Sequence, residues 1–189
     1  MMKIIAIALL SVIAPIAEAH TGIAQHGFMS GLAHPFIGLD HLLAMLAVGI
    51  WAGKMGGKAS WRIPLTFIVI MAISALLSQG LTSMPLIENG IAVTLLLLGL
   101  FILLAVKLPV AMGMIVVSLF AVFHGVAHGV ALPVAASPLW YVSGFVMATA
   151  LLHAAGVIAA ASRHDMSQVI LRLTGALIAT TGGVMLLAS

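Results

Sequence analysis

Two short histidine motifs are the parts of this sequence whose residue types and spacing could carry chemistry. The first reads His34-Pro-Phe-Ile-Gly-Leu-Asp40-His41, and the second reads Phe-His124-Gly-Val-Ala-His128-Gly. Residues four apart lie on one face of an α-helix, so His124 and His128 have the spacing of a chelating pair. Neutral imidazole and carboxylate groups together form a ligand set for Ni, Co, Zn or Fe ions. The two motifs therefore predict a site for a divalent metal ion.

The first motif is predicted to lie at the start of one continuous helix that begins at Pro35. In such a helix His34, His41 and Met45 share one face, and Asp40 points about 100° away from His41. Asp40 then lies within the first two turns, where the positive end of the helix dipole favours an ionised carboxylate. The sequence thus predicts two imidazoles and a thioether along one stripe, with a carboxylate beside it.

The predicted ligands come to one depth when the helices are laid antiparallel with a rise of about 1.5 Å per residue. Glu88, which begins a later apolar segment, falls on the same side of the membrane. The predicted metal ligands are His34, Asp40, His41, Glu88, His124 and His128. His153 is expected roughly 21 Å down its own helix, as an inner relay or as a hydrogen-bonded core residue. His20 and His26, on the N-terminal tail, either capture metal or are simply solvated.

Composition places these motifs in a membrane protein. Hydrophobic residues make up 63% of the chain, charged residues only 6%, and the mean hydropathy is +1.31, which no ordinary soluble surface allows. At the N-terminus, Lys3, a short apolar run and the sequence Ala17-Glu-Ala19 resemble a cleavable secretory signal. We therefore predict a signal peptide over 1–19 and a single transmembrane domain over 20–189. The alternative is an uncleaved seventh helix.

The fold class predicted is an all-α membrane protein with six transmembrane helices and both termini in the periplasm. Every Lys and Arg of the predicted mature chain falls in or beside loops of one side, which the positive-inside rule makes cytoplasmic. The localisation predicted is the bacterial inner membrane, with the chain crossing it several times. The predicted spans are Pro35–Ala52, Ile63–Gln79, Leu86–Val106, Pro109–Ala131, Leu139–Ala161 and Val169–Ala188.

Two further patterns concern helix packing and the membrane surface. Gly125 and Gly129 form a small-residue stripe that would let a neighbouring helix approach closely and bring its ligands within reach. The tryptophans Trp51, Trp61 and Trp140, together with Tyr141, are expected in the aromatic belts at the two interfaces.

Several function classes are excluded or left as rivals. The chain has no cysteine, which removes thiolate metal sites and cysteine nucleophiles. Its few basic residues form no run, so no nucleic-acid partner is expected, and no P-loop pattern predicts a nucleotide.

The histidines could instead serve interhelical hydrogen bonds, for example from Asp40 to His124. Other rivals are a metal-dependent intramembrane hydrolase, for which Ser118 is a weak nucleophile candidate, and a non-transporting metal-binding partner protein. A homo-oligomer is compatible with the sequence.

At these residues the sequence resembles the HupE/UreJ family of nickel permeases, whose hallmarks are H-x5-D-H in the first helix and F-H-G-x-[A/V]-H-G-x-E in a later one. His34, Asp40 and His41 match the first motif. The second motif is matched from Phe123 to Gly129, but Ala131 stands where the family pattern has Glu. The resemblance implies a permease, not an enzyme, that takes up Ni2+ or Co2+ as its transported ligand and has no prosthetic group. Ala131 bears on which metal ion is preferred.

Overall fold

The computed structural model describes residues 23–81, 86–132, 137–161 and 165–188, and within these ranges the chain is helical with short connections and no strand. The predicted signal peptide with its cleavage site, and His20, lie outside the described residues, as does the side chain of His26. The helices of the described part are α1 (Ile23–Ile37), α2 (Leu39–Met55), α3 (Ala59–Leu77), α4 (Ile87–Leu103), α5 (Val110–Val130), α6 (Pro138–Ala161) and α7 (Asp165–Ala188).

Several of these helices are long and apolar enough to cross a membrane. Helices α3, α5, α6 and α7 qualify within the described ranges, and they correspond to the second, fourth, fifth and sixth predicted spans. Helix α4 is apolar but has 17 residues, a length of about 26 Å, which is a little short of a typical hydrocarbon core. The chain is therefore a multi-pass helical membrane protein, and the predicted total of six spans stays a prediction.

The first predicted span is wrong in its course. The chain does not start a continuous helix at Pro35; Pro35 lies inside α1, which ends at Ile37, and α2 begins at Leu39 with its axis turned by 83°. Gly38 between them has an extended backbone, with φ −89° and ψ 118°. Pro35 restricts the backbone and removes an amide donor, and Gly38, three residues later, is a poor helix former. The break between α1 and α2 therefore has a local cause. His34 and His41 consequently belong to two different helices.

Close helix pairs hold the bundle together. Helix α6 packs against both α1 and α2, α3 packs against α5, and α4 packs against α7. Glycines bring backbones together in each pair: Gly49 of α2 lies against the backbone of His153, and Gly125 lies against the backbone of Met71. The glycine stripe of α5 therefore faces α3. It does not face α1 or α2, the two helices that carry His34 and His41.

Two of the residues predicted for the aromatic belts are core residues instead. Trp51 is fully buried, and its indole Nε1 donates a hydrogen bond to the carbonyl oxygen of Val106 at 2.9 Å. Tyr141 is 1% exposed. Trp61 and Trp140 are more than half exposed on the outside of the bundle, as residues of a belt should be.

Candidate metal centre

Four imidazoles from three helices meet inside one end of the bundle. The last turn of α1 supplies His34, the first turn of α2 supplies His41, and α5 supplies His124 and His128. The ring centre of His128 lies 4.9 Å from those of both His34 and His41, and the ring centres of His41 and His124 are 5.3 Å apart. The bend at Gly38 makes this possible, because it turns α2 away from α1 while the ends of the two helices stay adjacent.

Three of the four imidazoles have nitrogens close enough to share one ion. One ring nitrogen each of His34, His41 and His128 lies within 4.8 Å of the other two. In a tetrahedral site with metal–nitrogen bonds of about 2.1 Å, ligand nitrogens are roughly 3.4 Å apart. The rings therefore need to close in by about an ångström, which is within the reach of small side-chain rotations.

Asp40 contacts the cluster through His41. Its Oδ2 lies 3.0 Å from His41 Nδ1, so the carboxylate accepts the Nδ1 proton and leaves a lone pair on His41 Nε2. A Cβ at Gly38 would lie 2.7 Å from Asp40 Oδ1, so a side chain at position 38 would displace the Asp40 carboxylate. The predicted 100° separation between Asp40 and His41 on the helix holds for their backbones, but the side chains meet. A carboxylate behind a histidine is the usual way in which metal-binding imidazoles are oriented.

The imidazole nitrogens inside the cluster lack hydrogen-bond partners among the described residues. This is true of His41 Nε2 and of both ring nitrogens of His124 and His128, all of which are buried. A buried polar group without a partner costs about 1–3 kcal/mol. The predicted alternative of an interhelical hydrogen bond from Asp40 to His124 is not formed, since Asp40 pairs with His41. The cluster is poorly explained by helix packing alone.

Aromatic rings line the cluster. His128 stacks on Phe145, with ring centres 4.4 Å apart and planes 7° from parallel, while Phe67 lies 5.7 Å from His124 and Tyr141 lies 5.9 Å from His34. These rings exclude water and fix ring planes, which strengthens electrostatic interactions inside the site. None of these three aromatic residues belongs to either histidine motif. An aromatic residue in an apolar helix carries no pattern that separates a site wall from the rest of the core.

The remaining residues that the sequence singles out differ in exposure and in their contacts. Glu88 is exposed in the first turn of α4 and is not part of the three-histidine group. Ala131 is exposed and directly follows the end of α5. His153 is buried on α6, with its Nδ1 2.7 Å from the carbonyl oxygen of Met45 in α2. His153 is thus a hydrogen-bonded residue of the core that links α6 to α2, as one of the two predicted roles requires.

Comparison with known proteins agrees with the two motifs. The family model described as "HupE / UreJ protein" matches residues 7–186. The chain belongs to the HupE/UreJ family. Protein HupE of Rhizobium leguminosarum bv. viciae is 42% identical to it over 172 residues, which cover 90% of each chain. No solved structure matches the chain.

Within this HupE/UreJ chain, the two motifs that carry the resemblance are those that the fold brings together. The difference at Ala131 lies at the rim, because the residue is exposed at the end of α5, one helical turn beyond Ala127. A carboxylate at position 131 would start from outside the group formed by His34, His41 and His128.

Proposed function

We propose that this protein is a permease that takes up a divalent metal ion, Ni2+ or Co2+, from the periplasm into the cytoplasm of a bacterium. The observation that carries the proposal is the group of buried imidazole nitrogens that face one another without hydrogen-bond partners among the described residues. A divalent ion would use these lone pairs and remove the cost of leaving them unpaired. The choice of Ni2+ or Co2+ follows the family, since imidazole ligands alone do not select between these ions.

Some of these residues would bind the ion directly, and others would orient a ligand or attract the ion. His34, His41 and His128 hold the ion, and His124 lies beside them as a further ligand. Asp40 holds His41 in the tautomer that presents Nε2, and its negative charge partly balances the ion. Glu88, exposed at the start of α4, would attract the hydrated cation at the mouth.

The direction of transport follows from the charge pattern. Lys54, Lys107 and Arg172 line one cavity beside the last turn of α2, the end away from His41, and the positive-inside rule assigns such a group of basic residues to the cytoplasm. The imidazoles then open toward the periplasm. A membrane potential of 100 mV, negative inside, favours entry of a divalent ion by about 4.6 kcal/mol. Uptake therefore needs no nucleotide on energetic grounds.

Liposomes that contain only this protein, with a metal-sensitive dye inside, test the proposal. We expect Ni2+ to enter without any other protein, and Asp40→Asn and His128→Ala to lose nearly all uptake at low metal concentration. Ser118→Ala is the matched control on the same helix as His128, because the Ser118 hydroxyl donates only to the carbonyl of Met114 in its own helix, at 2.8 Å. Normal uptake in both site variants would contradict the assignment.

The same experiment separates the rivals. A metal-dependent hydrolase would turn over a substrate and would be sensitive to Ser118→Ala if that hydroxyl were its nucleophile. The Ser118 hydroxyl donates its hydrogen bond to the Met114 carbonyl of its own helix and not to a general base, which favours the permease. A metal-binding partner protein would bind Ni2+ in detergent but would not fill the liposomes.

A further inference from the structure

His153 has the features of a metal ligand, although it lies outside the three-histidine group. Its Nδ1 is 2.7 Å from the carbonyl oxygen of Met45, and a carbonyl oxygen can only accept a hydrogen bond. Nδ1 therefore carries the proton, and Nε2 carries the lone pair. That Nε2 is buried and has no partner among the described residues. A structural histidine of the core would be expected to use both nitrogens.

The arrangement at His153 repeats the one at His41. In both residues Nδ1 is held by an oxygen acceptor, a carboxylate for His41 and a backbone carbonyl for His153, and in both the buried Nε2 has no partner in the described part of the chain. Carboxylates and backbone carbonyls are the two groups that most often orient a metal-binding imidazole from behind. The fold thus prepares two histidines for ligation in the same way.

Two further polar groups without partners accompany His153. Thr149 lies one turn earlier on the same face of α6 and is fully buried, and its hydroxyl has no partner within the described part of the chain. The Phe67 ring contacts both His153 and a histidine of the main cluster, since its centre is 5.3 Å from that of His153 and 5.7 Å from that of His124. Both ring nitrogens of His124 also lack partners among the described residues. Unpartnered lone pairs therefore continue from the cluster toward His153.

The direction of this continuation is along the axis of α2. Met45, which holds His153, comes four residues after His41, so it lies about 6 Å, or one helical turn, deeper in the bundle. Gly49 keeps α6 close to α2 here, since a side chain at position 49 would collide with the backbone of His153. His153 is consequently fixed one step further from the entrance than His41.

We propose that His153, together with His124 and the Thr149 hydroxyl, forms a second position for the same divalent ion, one helical turn deeper than the three-histidine site. The inference rests on the proposed transport function and adds a step to it. The ion leaves His34, His41 and His128, is held by His124 and His153, and then moves inward. Only coordinate bonds and water ligands are exchanged, so no proton or electron is needed to complete the step.

Uptake by the full-length His153→Gln variant is the first test. The glutamine amide can still donate to the Met45 carbonyl, but it replaces the imidazole ligand with a weak one. Loss of even a residue that only hydrogen-bonds to a metal ligand lowers metal affinity or activity by about 10–100-fold. We therefore expect Ni2+ uptake into liposomes to slow by at least about tenfold. The affinity of the three-histidine site for Ni2+ should stay within about twofold of that of the wild type. If His153→Gln transports at the wild-type rate, His153 acts only through its hydrogen bond and the second position does not exist.

A titration with Co2+, followed by its visible absorption, gives a readout that a purely structural role would not move. We expect two successive changes in the wild type, and we expect His153→Gln to lose the second and keep the first. Thr149→Val, which has nearly the same shape, should weaken the second change without removing it. A single change in the wild type that is identical in both variants would overturn the inference. A wild type that neither binds nor transports Ni2+ or Co2+ would instead contradict the proposed function itself.

Discussion

The two ends of helix α2 have opposite chemistry. Near its first residue, the Asp40–His41 pair joins a group of imidazoles whose buried nitrogens have no hydrogen-bond partners among the described residues. Near its last residue, Lys54 lines a cavity of about 450 Å³ together with Lys107 and Arg172. Lys107 and Arg172 are exposed, and Lys54 is half-buried and donates a hydrogen bond from Nζ to Gln168 Oε1 at 2.9 Å. One helix thus connects a site suited to a cation with a pocket that repels one.

This difference separates two uses of polar residues in a membrane protein. Lone pairs hidden from water are costly, and they are worth keeping only if something binds to them. Cations that remain near water cost little and can fix the orientation of the chain in the membrane. The histidine end therefore has the properties of a transport site, and the lysine end those of a topological anchor. Because the cavity beside Lys54 carries three positive charges, we do not place it on the route of the metal ion.

The largest expected difference is in Ni2+ affinity, between a variant at the histidine end of α2 and a variant at its lysine end. His41→Ala deletes a ligand whose free Nε2 faces the cluster, and we expect the affinity for Ni2+, measured by calorimetry in detergent, to fall more than about 100-fold. Lys54→Gln, at the other end of the same helix, should leave the affinity within about twofold. Equal losses in the two variants would show that the ends are not functionally distinct.

Asp40→Asn tests whether the carboxylate acts through His41. The asparagine oxygen can still accept the Nδ1 proton of His41, but the negative charge is lost, so we expect Ni2+ affinity to fall by about 10–100-fold. Asp40→Ala, which also loses the acceptor, should bind more weakly still. An affinity unchanged in Asp40→Asn but lost in Asp40→Ala would assign Asp40 to orientation alone, with no contribution from its charge.

Much of the cluster follows from the sequence, because ionisable residues are rare in membrane helices and almost always face the interior. The i, i+4 spacing of His124 and His128 is a direct consequence of helical geometry, and the structure keeps it. The break at Gly38 was not predicted, since the apolar run continues through it and hydropathy does not distinguish a bent pair of helices from a straight span. His34 still joins the cluster, but it does so from a different helix.

Other features depend on which helices pack together, and a single sequence does not specify that. Counting residues along α6 predicts the depth of His153, but it does not predict that the close packing of α6 on α2 brings its imidazole to the Met45 carbonyl. Trp51 and Tyr141 were assigned to interfacial belts because aromatic residues near span ends usually lie there. Both are buried, Trp51 beside Val106 and Tyr141 beside the ring of His34.

Metal binding should also stabilise the protein, and only through the histidine end. A ligand at ten times its Kd that binds the folded state alone adds about 1.4 kcal/mol to the free energy of unfolding. We expect Ni2+ to raise the thermal midpoint of the wild type and of Lys54→Gln by equal amounts, and to raise that of His128→Ala much less. A full shift in His128→Ala would show that the ion binds elsewhere.

The smallest expected effect concerns the stability of the metal-free protein. The hypothesis that the histidines hold the helices together predicts that His128→Phe is destabilising. The structure predicts otherwise, because neither His128 nitrogen has a hydrogen-bond partner among the described residues and the ring stacks on Phe145. A phenyl ring keeps the stacking and removes the unpaired polar atoms, so we expect the unfolding free energy to stay within about 1 kcal/mol of the wild type. Stabilisation by Ni2+ should nevertheless be much smaller than in the wild type. A larger destabilisation, measured by denaturation without metal, would mean that the imidazole of His128 has a structural role that its contacts do not explain.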